Sequence, residues 1–193
     1  MPKSKDAVSV RRARTLSKKL LRQTRERWQH TSGVAARAAE LADTVDPVDR
    51  RLLLAAAWLH DIGYAPTLRK TGFHPLDGGL YLRDHKWDQR LTALVAHHSG
   101  ARFVPVERGF ADLMSMFRFE DSSLSDALCY ADQTVGPHGK RMTIEYRINE
   151  AIARHGPDSP NARARVDRVP YLLGVAARVE DRLARVGPPS TSH

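Results

Sequence analysis

Cysteine is nearly absent from this chain: Cys129 is the single one among 193 residues. That excludes an internal disulfide and any thiolate-rich zinc cluster, and it fits a reducing compartment. Long apolar runs are missing too, since none approaches the roughly 20 residues of a membrane helix. The first residues also lack the apolar stretch of a secretory signal. The expectation is a cytoplasmic protein without a membrane partner. Hydrophobic residues make up 41% and charged residues 27%, a slightly lean but globular composition. The length suits one domain with a sizeable core.

Acidic residues are scarce at one end. Residues 1–27 hold ten basic residues (Lys3, Lys5, Arg11, Arg12, Arg14, Lys18, Lys19, Arg22, Arg25 and Arg27) against Asp6 and Glu26. That segment accounts for nearly all of the net charge of +9 and leaves the remainder close to neutral. The charge therefore belongs to an appendage and not to the body. The favoured expectation for it is a solvated, partly frayed helix. Contact with nucleic acid or an acidic membrane is the less favoured alternative. An Arg-rich, acid-poor start also resembles an organellar transit peptide.

Period-2 alternation is absent as well, whereas apolar residues recur at helical spacing almost throughout. Helices are expected over about 28–44, 50–62, 75–84, 88–98, 122–135 and 143–155. A final amphipathic helix carries Val166, Val169, Leu172, Leu173, Ala176, Val179 and Leu183. Pro47, Gly63, Gly100 and the Gly136-Pro137 pair punctuate them. The expectation is an all-α, single helical bundle of about six to eight helices. A basic helical extension occupies residues 1–27, the domain 28–186, and a disordered tail 187–193. The last helix has apolar surface enough for a homodimer.

Several histidines and aspartates fall on apolar helical faces. His30 is four residues before Val34, His60-Asp61 closes the most hydrophobic helix, and His97-His98 ends another. Asp132 continues the Leu124, Leu128 face. A carboxylate on a buried face is costly unless paired, hydrogen-bonded or metal-bound. A divalent cation is the simplest shared partner, because it accepts imidazole nitrogen and carboxylate oxygen together. Donors without thiolate favour Fe or Mn, with Co, Ni or Mg as alternatives.

The ordered set His30, His60-Asp61, Asp132 resembles the H…HD…D signature of the HD-domain superfamily. WLHDIGY (58–64) is similar to its central segment, and LCYAD (128–132) to its terminal aspartate helix. FHPLDGG (73–79) and AHHSG (96–100) resemble the segments that bind a second metal in the binuclear subset. The resemblance implies an HD-domain-like fold and six ligands: His30, His60, Asp61, His74, His97 and Asp132. Asp61 would bridge and act catalytically. His98 would support a ligand or touch substrate. The chain departs from the cyclic-di-GMP phosphodiesterase branch, which has a GYP segment after the paired histidines. It also has Tyr64 where many relatives place a lysine.

Phosphate calls for cationic clamps, and Arg102, Lys140 and Arg141 are the candidates, each as readily an exposed loop residue. The implied activity is a metal-dependent phosphohydrolase that uses activated water on a phosphate ester or anhydride. Its substrate would be a nucleotide or other small phosphorylated molecule, selected by the loops 65–72 and 101–109. The alternatives are a mixed-valent di-iron oxygenase with the same ligands, or a non-catalytic metal- or nucleotide-binding regulator. Asp77 is expected either on a ligand histidine or in a loop or cap.

Overall fold

The computed structural model describes residues 8–104, 109–155 and 160–187, with side chains over 151–161 left aside. The tail 188–193 and parts of the 101–109 loop and the turn at 156–160 lie outside these residues. All the described regular structure is helical; the one pairing of extended backbone is an isolated bridge between Val135 and Arg141.

The basic segment does form a helix, but a docked one. In α1 (Val10–Leu21), Ser9 caps the first turn by accepting from the Arg12 amide at 3.3 Å. Ala13, Ser17 and Leu21, spaced by four, are fully buried against α3 (Arg50–Leu59). The partly frayed helix expected from the charge run is therefore overturned by a conventional apolar stripe. Next, α2 (Arg25–Glu40) turns His30, Thr31, Val34, Ala35 and Ala38 inward.

Helix α3 is the centre of the bundle and packs on α1, α2, α5 (Gln89–His97) and α7 (Ser123–Gln133). Its Leu52, Leu53, Ala55, Ala56, Ala57 and Leu59 are buried, each large one contributing roughly 1.5–3 kcal/mol. The helix ends at Leu59, not at Ile62. His60 is its last capping residue, and Ile62–Tyr64 continues as a tight 3-10 turn. Helix α4 (His74–Asp84) follows, with Pro75 in its first turn. Asp88 then caps α5 through the Leu91 amide at 2.8 Å.

A short α6 (Ala111–Met114) closes a satellite core with Phe73, Leu76, Leu80, Ala96 and Phe117. Helix α7 begins with a Ser122/Ser125 capping box. After α8 (Ile144–His155) and the one-turn α9 (Pro160–Arg163), α10 (Arg165–Val186) lies along α7. Its buried face is Leu172, Val175, Ala176 and Val179. Val166 and Leu173, expected on that stripe, are 77% and 42% exposed. Asp126 on α7 ties the two helices together through Arg178 and Arg182 of α10, at 2.6–2.9 Å.

Candidate metal centre

Five elements deliver six ionisable side chains to one buried spot. His30 comes from α2, His60-Asp61 from the end of α3, and His74 from the first residue of α4. His98 comes from just past α5, and Asp132 from the last turn of α7. His30, His60, Asp61, His98 and Asp132 are at most 4% exposed.

The donor atoms form two lobes that share one carboxylate. In the first lobe His30 Nε2 lies 2.9 Å from Asp132 Oδ1 and 3.3 Å from His60 Nε2. Asp61 Oδ2 is 3.6 Å and 3.4 Å from those two nitrogens. In the second lobe Asp61 Oδ1 is 3.2 Å from His74 Nε2 and 3.7 Å from His98 Nε2, which are 3.3 Å apart.

The histidine tautomers decide what fits. His30 Nδ1 faces the Gly136 carbonyl at 3.1 Å, His60 Nδ1 the Ala57 carbonyl at 2.8 Å, and His98 Nδ1 the Val95 carbonyl at 2.6 Å. A carbonyl only accepts, so each Nδ1 carries the proton, and in the neutral ring each Nε2 presents a lone pair inward. Three lone pairs and two carboxylates then converge where water is scarce. Such a set of acceptors is stabilised by a cation at their centre, and backbone carbonyls orienting ligand imidazoles are the usual support for one. The residues therefore fit divalent metal, and their N/O donors without thiolate suit transition ions.

Without metal, protons serve the same purpose. Burial pulls the His60 pKa down, but Asp61 and Asp132 more than offset this and hold it above its ordinary value. Burial pushes Asp61 and Asp132 up, yet the imidazoles, together with Arg27 beside Asp61, hold both carboxyls well below the usual range. Desolvation lowers His74 to about 4 despite Asp61.

Gly63 sets the close approach that brings His74 in. A Cβ there would lie 2.0 Å from the His74 carbonyl oxygen, so only glycine lets the turn after Asp61 meet the start of α4. Asp77 does not support a ligand histidine. It is buried and gathers the 70–72 loop, accepting from the amides of Lys70, Thr71 and Gly72 and from the Thr71 hydroxyl at 2.8–3.2 Å.

Of the two adjacent histidines, the structure brings His98 and not His97 into the cluster. His97, still in α5, donates through Nε2 to the Phe117 carbonyl at 2.8 Å. His98 leaves the helix in extended backbone, followed by Ser99 and Gly100 at φ of 61° and 63°. Residue 99 is a non-glycine in the left-handed region, a strained conformation of the kind that accumulates at functional sites.

The expected phosphate clamps do not join the cluster either. Arg102 lies over the rings of Phe103, Phe119 and Tyr171 at 4.2–4.9 Å. Arg141 pairs with Glu40, and Lys140 is an exposed residue of the turn after α7.

Arg27 does join the cluster. Its Nη1 donates to Asp61 Oδ2 at 2.9 Å, and its guanidinium lies 4.0 Å above the Tyr64 ring. Tyr64 in turn stacks on His74 at 4.0 Å. The signal in the sequence was its position three residues before His30, on the same helical face. Ser99 and Gln133 are the other residues that sequence reasoning missed. Both hydroxyl and amide donate to Asp132 Oδ2, the amide at 3.0 Å, leaving Oδ1 to face His30. Arg168 of α10 fixes the Ser99 carbonyl at 2.9 Å.

An all-helical bundle with a buried cluster of histidine and aspartate at its centre defines a class of metal-binding helical proteins. The chain belongs to the HD domain family, whose match covers residues 27–185, and that family is a superfamily of metal-dependent hydrolases. The chain is also similar to a tRNA (cytidine(56)-2'-O)-methyltransferase of Picrophilus torridus, with 37% identity over 73 residues. That stretch is 38% of this chain and 20% of the methyltransferase. No solved structure matches the chain at comparable significance. Among the described residues, no helix is long and apolar enough to cross a membrane.

Proposed function

We propose that this protein is a metal-dependent phosphohydrolase acting on a phosphate ester or anhydride of a nucleotide or other small phosphorylated molecule. The observation that carries the reading is the division of Asp61, with one oxygen facing His30 and His60 and the other facing His74 and His98. That geometry suits two ions sharing one carboxylate. His30, His60, Asp132 and Asp61 Oδ2 would hold one ion, and His74, His98 and Asp61 Oδ1 the other. Fe or Mn is the favoured metal. Bound divalent ions there would lower the pKa of a water and offset charge on a phosphoryl group.

The chain's own residues do the rest. The carbonyls of Gly136, Ala57 and Val95 keep each Nε2 available and aimed inward. Ser99 and Gln133 hold Asp132 oriented through its Oδ2. Arg27 places a planar fork of donors next to Asp61, suited to two oxygens of one phosphoryl group. Tyr64 braces that fork and occupies the position where many relatives carry a lysine. The similarity to the methyltransferase covers a fifth of that protein and assigns no methyl transfer here.

The test is metal content of the purified chain, with nitrophenyl phosphate mono- and diesters and a nucleotide panel as substrates. Asp61→Ala is assayed in parallel. About two transition-metal ions per chain, and a loss of hydrolysis of at least ~100-fold in the variant, are expected. Bound iron with no hydrolysis of any substrate would move the assignment to a di-iron oxygenase, and a metal-free, inactive protein would overturn both.

A further inference from the structure

Helix α1 lies before the HD match, which begins at residue 27, yet it is fully docked. Its outer face is built from Arg11, Arg12, Arg14, Lys18 and Lys19, continued by Arg22, all exposed. Residues 8–25 contain no aspartate or glutamate, and no ion pair to any of these six side chains is formed among the described residues.

The charges suit the helix at one end only, where Lys18 and Lys19 stand in the last turn. Arg11 and Arg12 stand in its first turn, where the helix dipole favours anions. Arg14, Lys18 and Arg22 repel one another at i, i+4 spacing. Local stability therefore does not explain the cations of the first turn or their i, i+4 repetition, whereas a polyanionic ligand would.

Two of the arginines are held in place from below. The Arg12 guanidinium lies 4.3 Å from the Trp87 ring, and that of Arg14 lies 5.4 Å from the Trp58 ring. A phosphate strand would thus meet a partly ordered row of cations. Val10, Leu16 and Leu20, the apolar residues that a bilayer would need, pack against the core instead. That leaves the outer face with charge and nothing to insert among lipids. The helix also touches the Ile62–Tyr64 turn beside Asp61.

We infer that the outer face of α1 binds the phosphate backbone of a nucleic-acid strand. This surface does not depend on the hydrolase reading, because its test reads binding alone. Fluorescence anisotropy of the full chain with a labelled structured RNA, and with single-stranded and duplex DNA of equal length, would be followed across a salt series. Anionic phosphatidylserine vesicles provide the comparison.

The decisive variant is Lys18→Gln/Lys19→Gln/Arg22→Gln. A control, Arg69→Gln/Arg118→Gln/Arg165→Gln, removes the same charge from exposed positions on other elements. The α1 variant should bind at least about tenfold more weakly, with a log–log salt slope for duplex shallower by about three. The control should change little, and the ranking of the three probes assigns RNA or DNA. Equal losses in both variants, no nucleic-acid binding at low salt, or binding to vesicles alone would each overturn the inference.

Discussion

His97 and His98 are neighbours of the same residue type at the end of the same helix, and the structure separates them by one backbone turn. His97 remains helical and spends its Nε2 proton on the Phe117 carbonyl. His98 swings into the cluster because Ser99 and Gly100 adopt left-handed backbone. His98→Ala should therefore remove about one of two bound metal ions and reduce hydrolysis at least ~100-fold. His97→Ala should leave metal content unchanged and cost activity less than about tenfold. Metal analysis beside a phosphatase assay separates the two, and the reverse ranking would return the ligand role to His97. The single residues that support the cluster obey the same logic. Arg27 neutralises Asp61, while Ser99 and Gln133 use one oxygen of Asp132 and so decide which oxygen is left for metal.

At the level of elements, the site depends on how helices stop. Helix α3 ends at Leu59, one residue before the HD pair, and the 3-10 turn of residues 62–64 points Asp61 back into the bundle. The 70–72 loop then has to reach His74 in register, and the buried Asp77 holds it through four donors. Asp77→Ala strands those amides and the Thr71 hydroxyl, at a cost of about 2–4 kcal/mol. That should lower Tm by roughly 10 °C at this chain length. Calorimetry checks it, and Asp77→Asn, which retains an acceptor, should recover part of the loss. A Tm within about 2 °C of the parent for Asp77→Ala would show that the loop does not need the anchor.

For the molecule as a whole, the cluster links stability to pH and to metal. In the metal-free protein His74 sits at about 4, below its ordinary value near 6.5. An unfolded chain takes up this proton as pH falls through 6.5 and the folded chain does not. The His74 contribution is therefore complete above pH 6.5 and is lost between 6.5 and about 4. Asp61 and Asp132, held low in the fold, contribute fully above the ordinary carboxylate value and are lost as pH falls below it. His60, held high, contributes fully below pH 6.5 and is lost as pH rises through its folded value. Chelator-treated protein should thus lose stability from pH 6.5 toward 4 with a limiting slope of about 1.4 kcal/mol per pH unit. Denaturant titrations across that range measure the slope, and His74→Gln should flatten it. Added Mn²⁺ should raise Tm at pH 7 and displace the His60 proton, which proton release into a weakly buffered solution would register.

Much of this was legible in one dimension. Helical periodicity set the all-α bundle, and the H…HD…D order placed His30, His60, Asp61 and Asp132 on faces that turned out to be buried, because a 3.6-residue repeat records which side of a helix meets the core. The choice between His97 and His98 was not legible, since it depends on backbone torsions just past a helix end, where spacing carries no information. Nor was the role of Arg27, which read as one more charge in a basic run until α2 and the Ile62–Tyr64 turn came together. The docking of α1 was likewise hidden, because the small and apolar residues that hold it down are interspersed among many cations. Sequence by itself determined which residue types stand on which helical faces. The tertiary structure alone decided which of them share a centre, because convergence of side chains from five elements depends on turns and close packing that no local pattern encodes.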